Sequence, residues 1–432
     1  MAKLPSLGPV VTGRRIAARV IARVSFEGAY AAAALDAELS RATDLDPREK
    51  GLATEIAYGV LRTRPALLRR IERYAKRLPR DEVTLVHLLV AVYQITLLER
   101  VPAFAAVNAA VEAVRSERGP KLAGFVNAVL RRLAQSSERL DPVLAVRDSG
   151  PAWLIERLTA TVGEDEALKL LGAHGVAPAS VRLVSGRELP AWLEGASEGK
   201  VSPRARRVTE LGDLRVRPGY REGSFVVQEE GAQVVAFLLG ARAGERVLDA
   251  CAGRGQKTSL LSELVGPTGS VWAADLHPKK LDALRLEAER LGLPSPECRS
   301  VDLGVGVADL PDDFDRVLVD APCTGTGTLA RRPEIKERIA PSDPARLADL
   351  QTSILERAAS RLRPGGRLIY AVCSVLPEEA EGVVERAPSM LVPAPFDAPE
   401  LEGRLSLDRS SLRLLPGAHG TDGYFVASFV RR

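Results

Sequence analysis

The chain has 432 residues, a net charge of +4, 46% hydrophobic and 27% charged residues, which describes an ordinary folded protein and a charge too mild to demand a polyanionic partner. Its apolar runs are broken by charge well before the roughly 20 residues of a membrane span, and the first residues carry no signal-peptide apolar block, so the expectation is a cytoplasmic protein with no membrane partner. Four cysteines, Cys251, Cys298, Cys323 and Cys373, are too few and too scattered for a disulfide framework, and no CxxC or His-rich spacing suggests a metal.

From about residue 13 to 137 apolar residues recur at three- and four-residue spacing through Ala/Leu/Arg/Glu-rich stretches, which predicts an all-α domain over 1–140. Within it Leu67, Leu68, Ile71, Tyr74 and Leu78 fall on one face, Asp81 is placed to cap the next apolar helix, and His87 reads as a core or interface residue. Arginine clusters at Arg14–Arg15, Arg69–Arg70–Arg73, Arg131–Arg132, Arg204–Arg206–Arg207 and Arg331–Arg332 have the composition of phosphate-tracking faces and equally of solvated ones. Over 141–225, helix-like pieces near Pro151–Trp153 and Glu164–Leu171 precede strand candidates SVRLVSG and LRVRPG, a small α+β connector.

Beyond about residue 226 short β-rich runs, ERVLDAC, SVWAADL, FDRVLVDAPC and GRLIYAVCS, alternate with helical segments such as DALRLEAERLG and ARLADLQTSILERAASRL. That alternation predicts a doubly wound α/β domain over 226–432. The second of those helices has a start signal in Ser342–Asp343–Pro344 and a stop in Pro364–Gly365–Gly366. Strand ERVLD runs into a turn with Gly253 and Gly255 before a helix near Lys257, a place where a ligand can approach the backbone. Asp275 ends the next strand at the spacing of a ribose-binding acid, and Asp302 and Asp320 follow or end later ones, on the sheet edge where ligands bind. There is no Walker pattern, so a phosphate-gripping NTPase is disfavoured, while a hydride-transferring dehydrogenase stays open on these features alone.

DAPC with its small-residue loop, YAVCS followed by LPEE, DACAGRGQKT and the terminal HGTDGYFVA together resemble the RNA cytosine-5 methyltransferases. YGVLRTRPALLRRIERY, VYQITLLERVPAFAAVNAAVEAV and GFVNAVLRRL further resemble the NusB-like domain of the RsmB/Sun branch, whose members methylate a cytosine of 16S ribosomal RNA. The resemblance spans essentially the whole chain. It implies a class I, Rossmann-like methyltransferase domain behind the NusB-like helices, S-adenosyl-L-methionine as methyl donor, 16S ribosomal RNA as partner, no metal, and action as a monomer. Cys373 would be the nucleophile that adds to carbon 6 of cytosine, Cys323 the residue of the release step, Asp320 the partner of the N3 edge, and Lys257 a cation favouring the thiolate. The cofactor would lie on Cys251, Ala252, Gly253, Arg254, Gly255 and Lys257, with Asp275 on the ribose, Asp302 at the adenine and Asp320 near the methyl, while Arg331 and Arg332 would touch RNA.

The chain departs from the family pattern where Gly253–Arg254–Gly255–Gln256–Lys257–Thr258 stands for A-P-G-G-K-T, where Val372 replaces the threonine before the nucleophile, and where QEEGAQ, Gln228 to Gln233, replaces Q-D-x-x-S-Q. Gln256 is expected to crowd the cofactor and Val372 to remove a hydroxyl. Two other readings are carried forward: the same chemistry on transfer RNA or large-subunit RNA, and a non-catalytic RNA-binding or antitermination factor with a decayed methyltransferase domain.

Overall fold

The computed structural model describes residues 11–209, 212–307 and 309–432, which form two compact units. The first comprises 11–156, 167–176 and 329–338, the second 157–166, 177–328 and 339–432. Residues 141–156 and 167–176 thus fall in the first unit, and 157–166 and 177–225 in the second.

The first unit is all helical through α1 (Gly13–Phe26), α2 (Ala31–Arg41), α3 (Pro47–Glu72), α4 (Glu82–Leu97), α5 (Ala103–Arg118), α6 (Pro120–Gln135) and α7 (Pro142–Arg147). The Asp81 carboxylate accepts from Thr84 N at 2.8 Å, so α4 begins where its cap predicts. Leu67 and Ile71 are fully buried in the helical core, but α3 stops at Glu72, so Tyr74 and Leu78 reach the same core from the turn beyond it. His87 is buried, 3.5 Å from Glu117, and lines a cavity of about 130 Å³ beside Gln94 and Arg14.

Segment 329–338 also belongs to this unit. The Arg62 guanidinium donates to the Ala330 carbonyl at 3.0 Å, Ala31 N donates to Glu334 at 3.0 Å, and Arg64 pairs with Glu337 at 2.9 Å. Lys336 is buried with its ammonium on the Arg62 carbonyl, and burial lowers that amine to about 8. Arg331 and Arg332 therefore group with the helical unit, although they follow Cys323 closely in sequence. Helices α8 (Ala152–Val162) and α9 (Glu164–Leu170) each contribute residues to both units.

The second unit opens with a small antiparallel sheet in the order β2-β3-β1-β4, formed by β1 (Ala179–Leu183), β2 (Ser197–Glu198), β3 (Ala205–Val208) and β4 (Phe225–Val227). SVRLVSG supplies β1, but LRVRPG is no strand: the Asp213 carboxylate accepts from Arg215 N and closes a 3-10 turn over Leu214–Val216. Local capping by an aspartate thus wins over an apolar alternation only two residues long.

The main sheet contains β5 (Arg246–Asp249), β6 (Ser270–Asp275), β7 (Glu297–Ser300), β8 (Phe314–Asp320), β9 (Leu362–Val372), β10 (Leu391–Pro393), β11 (Ser411–Leu414) and β12 (Tyr424–Arg431). Its order is β10-β12-β9-β8-β5-β6-β7, with β11 also on β12; β5 to β9 pair in parallel and β12 runs antiparallel to β9. Helices α10 (Glu230–Leu238), α11 (Gln256–Val265), α12 (Pro278–Leu291) and α13 (Asp343–Arg361) complete the doubly wound arrangement that the alternation predicts. Helix α13 ends at Arg361, within one residue of its expected end, and the Pro364–Gly365–Gly366 that follow it lie inside β9.

Arg182 of β1 is completely buried, donating to Gln228 Oε1 at 2.8 Å and Ser259 Oγ at 2.9 Å and pairing with Glu263 of α11. Gln228 and Glu230 of QEEGAQ belong to the same polar seam: Glu230 accepts from Val201 N at 2.6 Å and Ser202 N at 2.9 Å and pairs with Arg207 at 3.0 Å. The seam fastens the small sheet to α10 and α11 of the doubly wound layer. Removing one member of a buried ion pair strands the other, at a cost of about 3–5 kcal/mol. Arg182→Ala should therefore lower the unfolding free energy of this unit by about that amount in denaturant titration, and Arg182→Met combined with Glu263→Leu should recover most of the loss.

Candidate active site

Strand order reverses at β5, with β6 and β7 on one side and β8 and β9 on the other. Such a switch point opens a crevice at the carboxyl ends of the strands. Asp249 ends β5, Asp275 ends β6, Asp302 follows β7, Asp320 ends β8 and Cys373 follows β9, so the residues expected at this edge share it.

Parallel pairing places Asp320 opposite Ala371, and Ala321 N donates to the Ala371 carbonyl at 2.9 Å. The two chains therefore leave the sheet side by side, and Cys323 Sγ comes to 3.3 Å from Cys373 Sγ. Gly327 N donates to the Cys373 carbonyl at 2.9 Å and Gly423 N to the Gly327 carbonyl at 2.8 Å, stacking the Cys323 loop, the Cys373 loop and the terminal TDGY turn. A Cβ on Gly327 would lie 2.0 Å from the Gly423 carbonyl oxygen, so only glycine permits this approach.

Lys257, at the start of α11, places its ammonium 2.6 Å from Asp320 Oδ2 and 5.9 Å from the centre of the Tyr424 ring. Burial alone would pull its amine down, but the Asp320 carboxylate, with Cys373 and Asp249 behind it, outweighs burial and holds the amine above its ordinary range. The resting lysine is thus charged and acts on Asp320 and Cys373 together.

The four thiols are not equivalent. Burial pushes Cys251 up, and Asp249, Asp320 and Asp275 push it further; burial also raises Cys298, whose Sγ lies 3.5 Å from the Pro296 carbonyl. Cys323 is raised by its bond to Cys373, by burial, and by the charges of Cys373 and Glu379. A thiol held protonated in this way is a poor first nucleophile. Cys373 is the one whose charge couples to Lys257.

The glycine turn is built by the acids around it. Asp275 Oδ2 accepts from Gly253 N at 3.0 Å and Oδ1 from His277 N at 2.8 Å, while the buried Asp249 accepts from the Thr258 hydroxyl at 2.7 Å. Burial, with help from the Asp320 charge, pushes the Asp249 carboxyl up to about 7 against the opposing Thr258 bond. Gly253 and Gly255 have φ of +57° and +84°; a Cβ on Gly255 would meet Leu284 Cγ at 2.4 Å, whereas nothing lies within 4 Å of one on Gly253. Cys251, Ala252 and Arg254 complete this loop, Arg254 exposed, and Asp302 is exposed and accepts from Gly304 N at 2.8 Å. The space over Gly253 and the row of carboxylates fit a ligand carrying an amine and vicinal hydroxyls.

Both departures at the loops have local explanations. The Gln256 amide donates to the Val227 carbonyl at 2.9 Å, which gives that side chain a place of its own, and Val372 is fully buried in the apolar core. Glu379 was not singled out by sequence reasoning, although it lies in the LPEE that follows Cys373; a glutamate at a loop position reads as solvent-facing, yet this one is completely buried beneath both cysteine loops. Among the described residues no group of three or more His, Cys, Asp or Glu has the arrangement of a metal site, and no helix is long and apolar enough to cross a membrane.

The family pattern of 16S rRNA methyltransferase RsmB/F matches residues 236–430, and that of the NusB family matches 12–135. Ribosomal RNA small subunit methyltransferase B of Vibrio cholerae is 32% identical over 98% of this chain and 98% of its own length, and that of Salmonella paratyphi C is 32% identical over 97% and 98%. This chain belongs to the RsmB family. The RsmB-type fold is also seen in the crystal structure of PH0851, which matches 98% of this chain and 99% of its own at a TM-score of 0.81 and 22% identity. A methyltransferase homologue from Pyrococcus horikoshii covers 68% of this chain and 98% of its own at 0.55 and 26%. As an RsmB family member the chain is an S-adenosylmethionine-dependent RNA methyltransferase, and the dehydrogenase reading falls away.

The two glycines separate packing from ligand access. Gly255→Ala should cost more than about 1 kcal/mol of stability by denaturant unfolding, through both φ and the Leu284 clash. Gly253→Ala pays about 1 kcal/mol for its φ alone and should instead show its main effect as weaker S-adenosylmethionine binding in calorimetry.

Proposed function

We propose that the enzyme forms 5-methylcytosine in 16S ribosomal RNA through a covalent bond between Cys373 and carbon 6 of the target base. The observation that carries this reading is the pair of sulfurs 3.3 Å apart at the ends of adjacent parallel strands, with the Lys257–Asp320 pair beside them. A methyl transfer to a base nitrogen or a ribose oxygen needs no thiol, whereas carbon 5 of cytosine becomes nucleophilic only after a nucleophile has added at carbon 6.

Cys373 attacks as the thiolate, which the Lys257 ammonium favours. As the Cys373–carbon 6 bond forms, electron density moves toward N3, where the Lys257–Asp320 pair supplies a proton and stabilises the charge. S-adenosyl-L-methionine supplies the electrophilic methyl that carbon 5 accepts. The Gly253 and Gly255 turn, with Cys251, Ala252 and Arg254, would hold its methionine part, Asp275 the ribose, Asp302 the adenine and Asp320 the methyl end. Once Cys373, whose bond and charge hold Cys323 protonated, has become a thioether, Cys323 gives its own proton to solvent, and the resulting thiolate takes the carbon 5 proton and passes it to solvent after release. The carbon 5 electron pair reforms the double bond, Cys373 leaves carbon 6, and the N3 proton returns to the pair.

The target base has to leave its stack, which is least costly in a single-stranded loop. Arg331 and Arg332 are RNA contacts in this reading, offered by the helical unit in which they pack. The names of the Vibrio and Salmonella relatives support small-subunit ribosomal RNA over transfer RNA or large-subunit RNA.

Labelled methyl donor and unmodified 16S ribosomal RNA, followed by digestion to nucleosides, should place label in 5-methylcytidine; label in any other nucleoside would contradict the reading. Cys373→Ala should abolish transfer, a loss of at least about a thousandfold expected for a missing nucleophile. Cys323→Ala should instead accumulate an RNA–protein adduct that survives a denaturing gel, and free RNA alone would remove Cys323 from the release step.

A further inference from the structure

The LPEE that follows Cys373 contains two glutamates with different surroundings. Glu378 pairs with Arg157 at 2.7 Å near the surface, whereas Glu379 is completely buried. One Glu379 oxygen accepts from Thr324 N at 2.8 Å and Gln351 Nε2 at 3.0 Å; the other accepts from the Thr324 hydroxyl and from the Ser374 hydroxyl at 2.6 Å. Thr324 directly follows Cys323, and Ser374 directly follows Cys373. One carboxylate therefore binds the neighbour of each sulfur.

The layer around it is closed. The Thr326 and Ser374 hydroxyls lie 3.0 Å apart, Val375 N donates to Thr326 Oγ1 at 3.3 Å, and Gln351 Nε2 also donates to the Pro322 carbonyl at 2.9 Å. The Tyr370 hydroxyl is 2.6 Å from the Glu379 carbonyl and 2.9 Å from Gln351 Oε1. The four donors to the carboxylate, two hydroxyls, one backbone N–H and one amide, are all neutral, and such a buried hydrogen-bonded arrangement fixes geometry.

We propose that Glu379 is a positioning residue of the methyl-transfer site, whose buried carboxylate clamps the segments after Cys323 and Cys373 and so holds their sulfurs within reach of one base. The proposal rests on the two-thiol reading for its consequence in catalysis, but the clamp itself is a matter of geometry. Its negative charge also adds to the proton affinity of Cys323, which suits a sulfur that acts second.

The test is the rate at which diamide links Cys323 to Cys373 in the purified full chain, read by peptide mass spectrometry, beside cofactor affinity and the split between kcat and KM. Glu379→Gln keeps the volume but presents an amide nitrogen to donors that need an acceptor. It should slow the link and lower kcat, each by about tenfold, the size expected for lost hydrogen bonds to a charged group, with cofactor affinity and KM for RNA unchanged. Glu379→Asp should recover part of both. Ser374→Ala, which removes one donor with little risk to folding, should slow the link by about threefold. Wild-type linking and wild-type kcat in Glu379→Gln, or in Ser374→Ala should the glutamate variants not fold, would overturn the proposal. A slowed link in a protein whose wild type makes no 5-methylcytidine would retain the clamp and remove the two-thiol chemistry instead.

Discussion

The chemistry proposed for this chain depends on the parallel register of β8 and β9. Because Asp320 pairs with Ala371, both strands end at the same level, and the loops that leave them have to travel together. Everything else at the site maintains that adjacency. Gly327 lets the two loops and the terminal turn approach without side chains between them, and the buried Glu379 carboxylate supplies their polar partner. Lys257 reaches in from the neighbouring switch point to bond Asp320, so the glycine turn and the cysteine loops share one ion pair.

Electrostatics sets the four thiols apart from one another. Cys251 is surrounded by carboxylates and Cys298 is packed in the core, so neither gains from losing its proton. Cys323 and Cys373 lie 3.3 Å apart, yet one is pressed toward the thiol and the other couples to a lysine held in its charged form. A pair of like groups whose environments differ is the usual way for one site to hold both a nucleophile and a base.

Much of this was legible from residue order. Aspartates at strand ends and two glycines in the first turn follow from local rules, since the strand, the turn and the helix start are contiguous, and Asp81 capped α4 as its position requires. What escaped was partly a matter of competing local signals and partly non-local. LRVRPG alternates like a strand, but Asp213 closes it into a turn, and the Pro-Gly-Gly that follows α13 lies inside β9. Arg182 and Glu379 look like surface charges until partners about 80 and 55 residues away are folded against them. The packing of 329–338 with helices nearly 300 residues earlier leaves no local trace either.

The central claim is that Cys373, and no other thiol, bonds to the base. The most direct measurement is capture on ribosomal RNA carrying 5-fluorocytidine, whose carbon 5 has no proton to lose, so that the adduct cannot be released once the methyl has arrived. Peptide mapping of the captured enzyme should find the nucleotide on the peptide containing Cys373. Attachment to Cys323, or methyl transfer to other bases with no adduct formed, would contradict the account.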